Sequence, residues 1–377
     1  MSRIDGLRWD SWPEPSDVLL LRSLLHADLN VAQAAWAEFR RTWDPDAPTS
    51  EQYRLFGLIA DRLDRIAPDD DRIGMYRGVR RRTAVNTMLQ LDRLERHLQR
   101  MDRLGVEPVV LKGAALVLTV YDSMGQRWFV DTDLLLHAAE WERVAASYGA
   151  DGWTPEHDDF GGNHGVNLRQ DDDSVDLHRL VHSEMVLPGR IEQTGELLET
   201  TIADRPLPSG RRIRTLAPTD ALLHTLIHGT QRLLPHNLRW CVDADRLITR
   251  NDIDWWRLIS LARTFRVSPL IHDALAFLGT VTGRPSEPWV LQQLAADRLS
   301  WLERKRLDAF HEWPAPGRLL GKSTTNLSWV LWRTRHLGPM GVARVLPLEF
   351  ARSLGQDSVA GLLKVAAGRL RRIRWTS

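Results

Sequence analysis

Apolar residues recur at helical spacing through the first hundred positions. Val18, Leu21, Leu25 and Leu29 mark one face, a second amphipathic stretch covers 31–43, and residues 17–43 therefore read as helix. A polar segment at 44–50 with two prolines interrupts the pattern. Ser50 then precedes a helix carrying Tyr53, Leu55, Leu58, Ile59 and Leu63, and one long helix is expected over roughly 72–104. From Gly105 the rhythm changes to short apolar runs. Residues 108–111 predict a strand, 114–121 a helix, 127–136 a second strand and 140–148 a helix. Three more strands follow at 153–156, 166–170 and 174–178, the last two joined by the aspartates 171–173 as a hairpin turn. Beyond Pro206 helical spacing returns, with helices expected at 220–234, 237–249, 254–266, 269–278 and 288–302 and a basic one at 362–375. The sum is an α+β chain: a helical segment at 1–104, a short mixed sheet with helices at 105–190, and a helical segment at 191–377.

Composition narrows the class. Formal net charge is +1, so no global basic field favours a long nucleic acid as partner. The single cysteine, Cys241, excludes an internal disulfide framework and fits a reducing compartment. No apolar run approaches the roughly 20 residues of a membrane span, and residues 1–15 lack the apolar core of a signal peptide. A cytoplasmic location is expected. The 16 tryptophans against 4 tyrosines are given no functional weight, because high G+C content would favour Trp, Arg and Ala codons.

The candidate chemistry lies in the strand at 127–136. Alternation puts Asp131 and Asp133 on one face, where two neighbouring carboxylates repel unless a cation sits between them. A Mg²⁺ site receiving a triphosphate is the economical reading. Two-metal chemistry needs a third carboxylate from a neighbouring strand. Asp176 in Ser174-Val175-Asp176-Leu177-His178 supplies it, and His178 shares its face. Lys112-Gly113 closes a strand and opens a helix, a place suited to phosphate. Gly113 allows close backbone approach, Lys112 adds a point charge, and Arg127 stands four residues before Asp131 to neutralise the β- and γ-phosphates.

These residues carry a resemblance. Leu111-Lys112-Gly113-Ala114-Ala115-Leu116, then Tyr121, Arg127, Asp131-Thr132-Asp133-Leu134-Leu135 and Val175-Asp176-Leu177-His178 resemble the bacterial uncharacterised nucleotidyltransferase family, within the DNA polymerase β-like superfamily. The helix at 86–105 and the segment 222–247, with His224, His228, Leu238-Arg239-Trp240 and Asp243, extend the likeness over most of 17–265. It implies a polymerase β-like core and transfer of NMP from an NTP, ATP or GTP, to a hydroxyl acceptor with release of pyrophosphate. Asp131, Asp133 and Asp176 would be catalytic and bind two Mg²⁺ ions, with Mn²⁺ as a substitute. Lys112, Gly113 and Arg127 would hold the nucleotide, with His178 and His228 lining the cleft on the acceptor side. A small molecule, a peptide or protein side chain and an RNA end all remain open as acceptor. The alternative is a non-catalytic nucleotide sensor or scaffold on the same fold. Val130 stands where the family usually has serine, and Thr132 where it has an aliphatic residue.

Other patterns weigh less. His224 and His228 have a zinc-compatible spacing, but no Cys, Asp or Glu completes the set and Arg232 continues the face, so a polar helix face toward the cleft is expected. The glycine-rich run at 161–165 lacks the Lys-Ser/Thr of a phosphate loop and reads as a strand connection, with His164 a candidate proton acceptor. No Gly-x-Ser-x-Gly occurs, and Cys241 has no evident base.

Overall fold

A computed structural model describes residues 13–44, 46–156, 165–230, 237–311, 327, 330–353 and 358–359. His164 and its glycine run up to 164, Arg232, and the basic segment 362–375 lie outside the described residues.

The helical pattern is realised as α1 (Pro15–Leu25), α2 (Leu29–Thr42), α3 (Ser50–Ile66) and α4 (Ile73–Leu104). Helix α3 starts where it does because Thr49 and Gln52 form a capping box. Helix α4 stops at Gly105, which takes the left-handed conformation that glycine adopts without a Cβ penalty. Seven strands then form one mixed sheet: β1 (Val109–Val110), β2 (Thr132–Leu135), β3 (Thr154–Pro155), β4 (Gly165–Gln170), β5 (Asp173–His178), β6 (Thr200–Ile202) and β7 (Arg214–Leu216). Their order is β3-β4-β5-β2-β1-β7-β6. Strand β2 runs parallel to β5 and antiparallel to β1, and β1 runs parallel to β7. Helices α5 (Lys112–Thr119), α6 (Ala138–Ala150) and α7 (Ile191–Glu196) interleave with these strands. Helices α8 (Pro218–Gly229), α9 (Arg239–Arg250), α10 (Trp255–Thr264), α11 (Ser268–Thr282), α12 (Pro288–Ala295) and α13 (Trp301–His311) follow.

Two differences from the sequence reading stand out. The sheet continues past residue 190 through β6 and β7, both within the segment read as helical. Both strands are three residues long and β6 is exposed throughout, so neither carries a periodicity that could reveal it. The strand expected at 127–136 is confined to Thr132–Leu135, and 127–131 is an irregular lead-in. β1 is only two residues long and offers no further partner. The last link is the Leu111 N–H donating to the Asp133 carbonyl at 3.0 Å.

Two apolar cores organise the packing. One joins α1–α3 to α8–α12, so helices from opposite ends of the sequence share an interior that includes Leu21, Trp36, Phe56, Leu226 and Phe277. The other packs α4 and α6 onto the sheet through Leu91, Leu94, Leu134, Val144 and Leu177. Helix α5 is apolar on both sides and lies in the seam. Leu116 and Val120, which follows its last residue, enter the first core, while Ala114, Val117 and Leu118 enter the second. The N-terminal end of α5 is thereby fixed against β2. No helix among the described residues is long and apolar enough to cross a membrane.

Candidate nucleotide site at the seam

Parallel pairing of β2 with β5 sets Asp133 opposite Asp176 and Leu135 opposite His178. The two carboxylates are therefore direct neighbours, and both meet the imidazole. His178 Nε2 lies 3.0 Å from Asp133 Oδ1 and 3.0 Å from Asp176 Oδ2. The hydrogen bond from Leu111 to Asp133 brings Lys112 alongside. Its Nζ donates to Asp133 Oδ1 at 2.5 Å and stands 4.0 Å from Asp176 Oδ2. Lys112 has φ of +49°, a left-handed conformation rare for a residue with a side chain. Gly113 follows it for a reason the sequence did not disclose: a Cβ there would lie 2.5 Å from Phe129 Cβ. The glycine thus lets α5 press against the lead-in to Asp131.

Asp131, half-buried, is in the bend just before β2. Its carboxyl is raised above the usual range by the neighbouring Asp133 charge and by burial, with Lys112 opposing. Burial alone would raise Asp133, yet Lys112 and His178 hold it down at about 2. His178 would be lowered by burial, but Asp176 and the hydrogen bonds to both carboxylates carry it to about 9. The cluster thus sets the carboxyl groups of Asp131, Asp133 and Asp176 against one lysine and one histidine. The donor set fits a divalent cation. Asp133, Asp176 and His178 each offer a ligand atom within 4.8 Å of the others, the grouping of this kind found among the described residues. Asp131, expected as an equal partner, is not in that grouping.

A cavity of about 420 Å³ opens beside the cluster, lined by Lys112, Asp131 and Asp133 and by α8 and α9, within the size range of small-ligand sites. Arg127 also lines it, but its guanidinium is engaged: Nε and Nη2 donate to the two oxygens of Asp243 at 2.8 Å each. Tyr121 Oη donates to the same carboxylate at 2.6 Å. Burial would lower the Arg127 pKa, and Asp243 more than reverses this. Sequence reasoning named Tyr121 and Asp243 only as parts of a likeness. Their mutual contact spans more than a hundred residues and leaves no local signal. Arg239, at the start of α9, is a further cavity cation, lowered to about 10 by burial and by Arg127.

His228 reaches the cavity from α8. Burial first, then Lys112 and His224, hold it well below its ordinary pKa. His182, which sequence reasoning passed over, packs with it: the rings of His182, His224 and His228 are 5.9–6.3 Å apart. Thr132, fully buried on the opposite parity from the aspartates, has no hydrogen-bond partner for its hydroxyl among the described residues.

Among curated proteins no match is found. A solved structure, an antigenic nucleotidyltransferase-like protein from Paracoccidioides brasiliensis, is 16% identical over 58% of this chain and 96% of that one. Its TM-score of 0.35 makes the likeness too distant to carry argument. Residues 40–283 match the uncharacterised nucleotidyltransferase family. The chain belongs to that family.

Proposed function

We propose that the protein transfers NMP from an NTP to a hydroxyl acceptor on a polymerase β-like centre formed by Asp131, Asp133 and Asp176. The observation that carries this reading is the register of β2 on β5, which sets Asp176 beside Asp133, and Asp133 lines a cavity together with Asp131 and Lys112. Mg²⁺ or Mn²⁺ held by these carboxylates, two ions in the full centre, would supply Lewis-acid stabilisation of charge developing on the α-phosphate and leaving group. The chain's own residues do the rest. Lys112 and the backbone N–H groups opening α5 bind phosphate oxygens. Arg127, fixed in direction by Asp243, faces the β- and γ-phosphates, and Arg239 adds charge from α9. Asp176 accepts the proton of the attacking hydroxyl as its oxygen bonds to the α-phosphorus and the bond to the β-phosphate oxygen breaks, releasing pyrophosphate. His178 and His228 orient the acceptor, while α8 and α9 exclude water.

The test is to incubate the protein with each NTP, Mg²⁺ and fractionated lysate, measuring pyrophosphate and the labelled acceptor. Nucleotide bound without any pyrophosphate would favour the sensor reading, and release of ADP in its place would indicate phosphoryl transfer.

A further inference from the structure

The three groups His178, Asp133 and Asp176 converge on one point, and that point is held by a cation of the protein's own. Lys112 Nζ is 2.5 Å from Asp133 Oδ1, 3.5 Å from His178 Nε2 and 4.0 Å from Asp176 Oδ2. The ammonium donates to Asp133 and stands within 4.0 Å of the other two donor atoms, so an ion entering among them meets it. Lys112 takes this position with a left-handed backbone, which a residue with a Cβ rarely adopts. The strain aims the side chain back at β2 rather than along the cavity. His178 is 1% exposed and cannot turn to solvent, so its nitrogen faces any ion that enters. We propose that Asp133, Asp176 and His178 form a mixed oxygen–nitrogen metal site, that an entering divalent ion takes the Nε2 lone pair as that nitrogen's proton leaves to solvent, and that Lys112 keeps its place until the ion displaces the ammonium toward the phosphates. This rests on the metal-centre reading above and adds to it a nitrogen ligand and a displaceable occupant.

Two consequences separate it from an all-carboxylate centre. An imidazole donor favours Mn²⁺ over Mg²⁺, because affinity at nitrogen-containing sites rises along the first transition row while Mg²⁺ prefers oxygen. Metal and nucleotide also become coupled, since the ammonium freed from the site gains a partner in the triphosphate. The experiment loads the full-length chain, labelled with ¹⁵N-histidine, with Mn²⁺. Titration by EPR gives affinity, and pulsed EPR detects nitrogen coupling, each with and without a nonhydrolysable ATP analogue. Coupling to a histidine nitrogen is expected in the wild type and should vanish in His178→Gln. Lys112→Met should bind Mn²⁺ about tenfold more tightly than wild type without nucleotide, a change of the size that outer partners exert on metal affinity. Mn²⁺ bound through Asp133, as shown by its loss in Asp133→Asn, but lacking histidine coupling would overturn the mixed site and leave the carboxylate centre standing. If Asp133→Asn does not fold, the more exposed Asp176→Asn serves the same purpose, and the isotope readout needs no variant. Unchanged Mn²⁺ affinity in Lys112→Met would overturn the place-holding role. Absence of Mn²⁺ binding in every condition would overturn both this inference and the metal centre itself.

Discussion

Two buried clusters of charge border the same cavity, and they are built on different plans. Around Asp243 the partners are matched: Arg127 gives it two hydrogen bonds at 2.8 Å and Tyr121 a third at 2.6 Å. Around Asp133 they are shared. One oxygen accepts from Lys112 and meets His178, and the same imidazole nitrogen lies equally close to a second carboxylate. The first arrangement has nothing to gain from an incoming ion. The second divides one lysine and one imidazole between two carboxylates, so a divalent cation finds acceptors there. Burial and charge alone therefore do not mark chemistry; the pattern of sharing does.

That contrast can be broken at several points. The largest effect is expected from Asp243→Ala, which strands the Arg127 guanidinium in a buried site. Loss of one partner of such a pair costs about 3–5 kcal/mol, readable as a lowered urea midpoint. A loss below about 1 kcal/mol, the range of exposed pairs, would mean that Arg127 is as exchangeable as Lys112. Next is Asp133→Asn, expected to lower pyrophosphate release by more than about a hundredfold, beyond the upper end for losing a supporting residue. Activity within tenfold of wild type would remove Asp133 from the chemistry. Gly113→Ala forces a methyl against Phe129 and should cost about 1–3 kcal/mol, as overpacking does. Its activity should fall as well, because Phe129 leads directly into Asp131.

A smaller effect is expected in the opposite direction. Thr132→Val removes a buried hydroxyl without a partner and preserves shape, so stability should rise by about 1 kcal/mol, the lower end of the cost of an unmade hydrogen bond. A drop would reveal a polar neighbour for that hydroxyl. The smallest concerns Glu303, another carboxylate with matched partners. Burial would raise it, but Arg266, Arg335 and Ser300 lower it from 4.5 to about 2. Its stabilisation is present above its unfolded pKa and is lost as pH falls through about 2. Glu303→Gln should flatten the acid limb of a stability profile over that window, lowering stability at neutral pH and leaving it least changed below about pH 2. An unchanged acid limb would show that the ion pairs with Arg266 and Arg335 do not persist in solution.

Legibility followed range. Helices α3 and α4 and the hairpin of β4 and β5 carry their own periodicity and turn chemistry, and their positions could be read directly; α1 and α2 were read as helix over 17–43, with the break at 26–28 and the start of α2 at Leu29 not read. Asp133, Asp176 and His178 could be placed together because strand parity fixes a face, although the register between β2 and β5 could not be read. The Asp243–Arg127 contact could not be found, because nothing near either residue encodes the other. Lys112 was legible as a cation near the carboxylates but not as one of their partners: its left-handed φ depends on α5 being wedged between two cores. Gly113 was noticed for an approach to phosphate, whereas the structure shows it making room for an aromatic ring. β6 and β7 are too short to leave a pattern.

The seam that holds α5 also has a consequence for the nascent chain. The first core needs α1, near one end of the sequence, and α11, whose Thr282 carbonyl accepts the Ala27 N–H at 2.8 Å. Until residue 282 has been synthesised, α5 has only one of its two walls and Lys112 cannot be fixed beside Asp133. Contacts of such long sequence separation form late. The protein therefore assembles its site only after α11 has been made, and a chain arrested earlier carries every aspartate of the cluster without the means to assemble it.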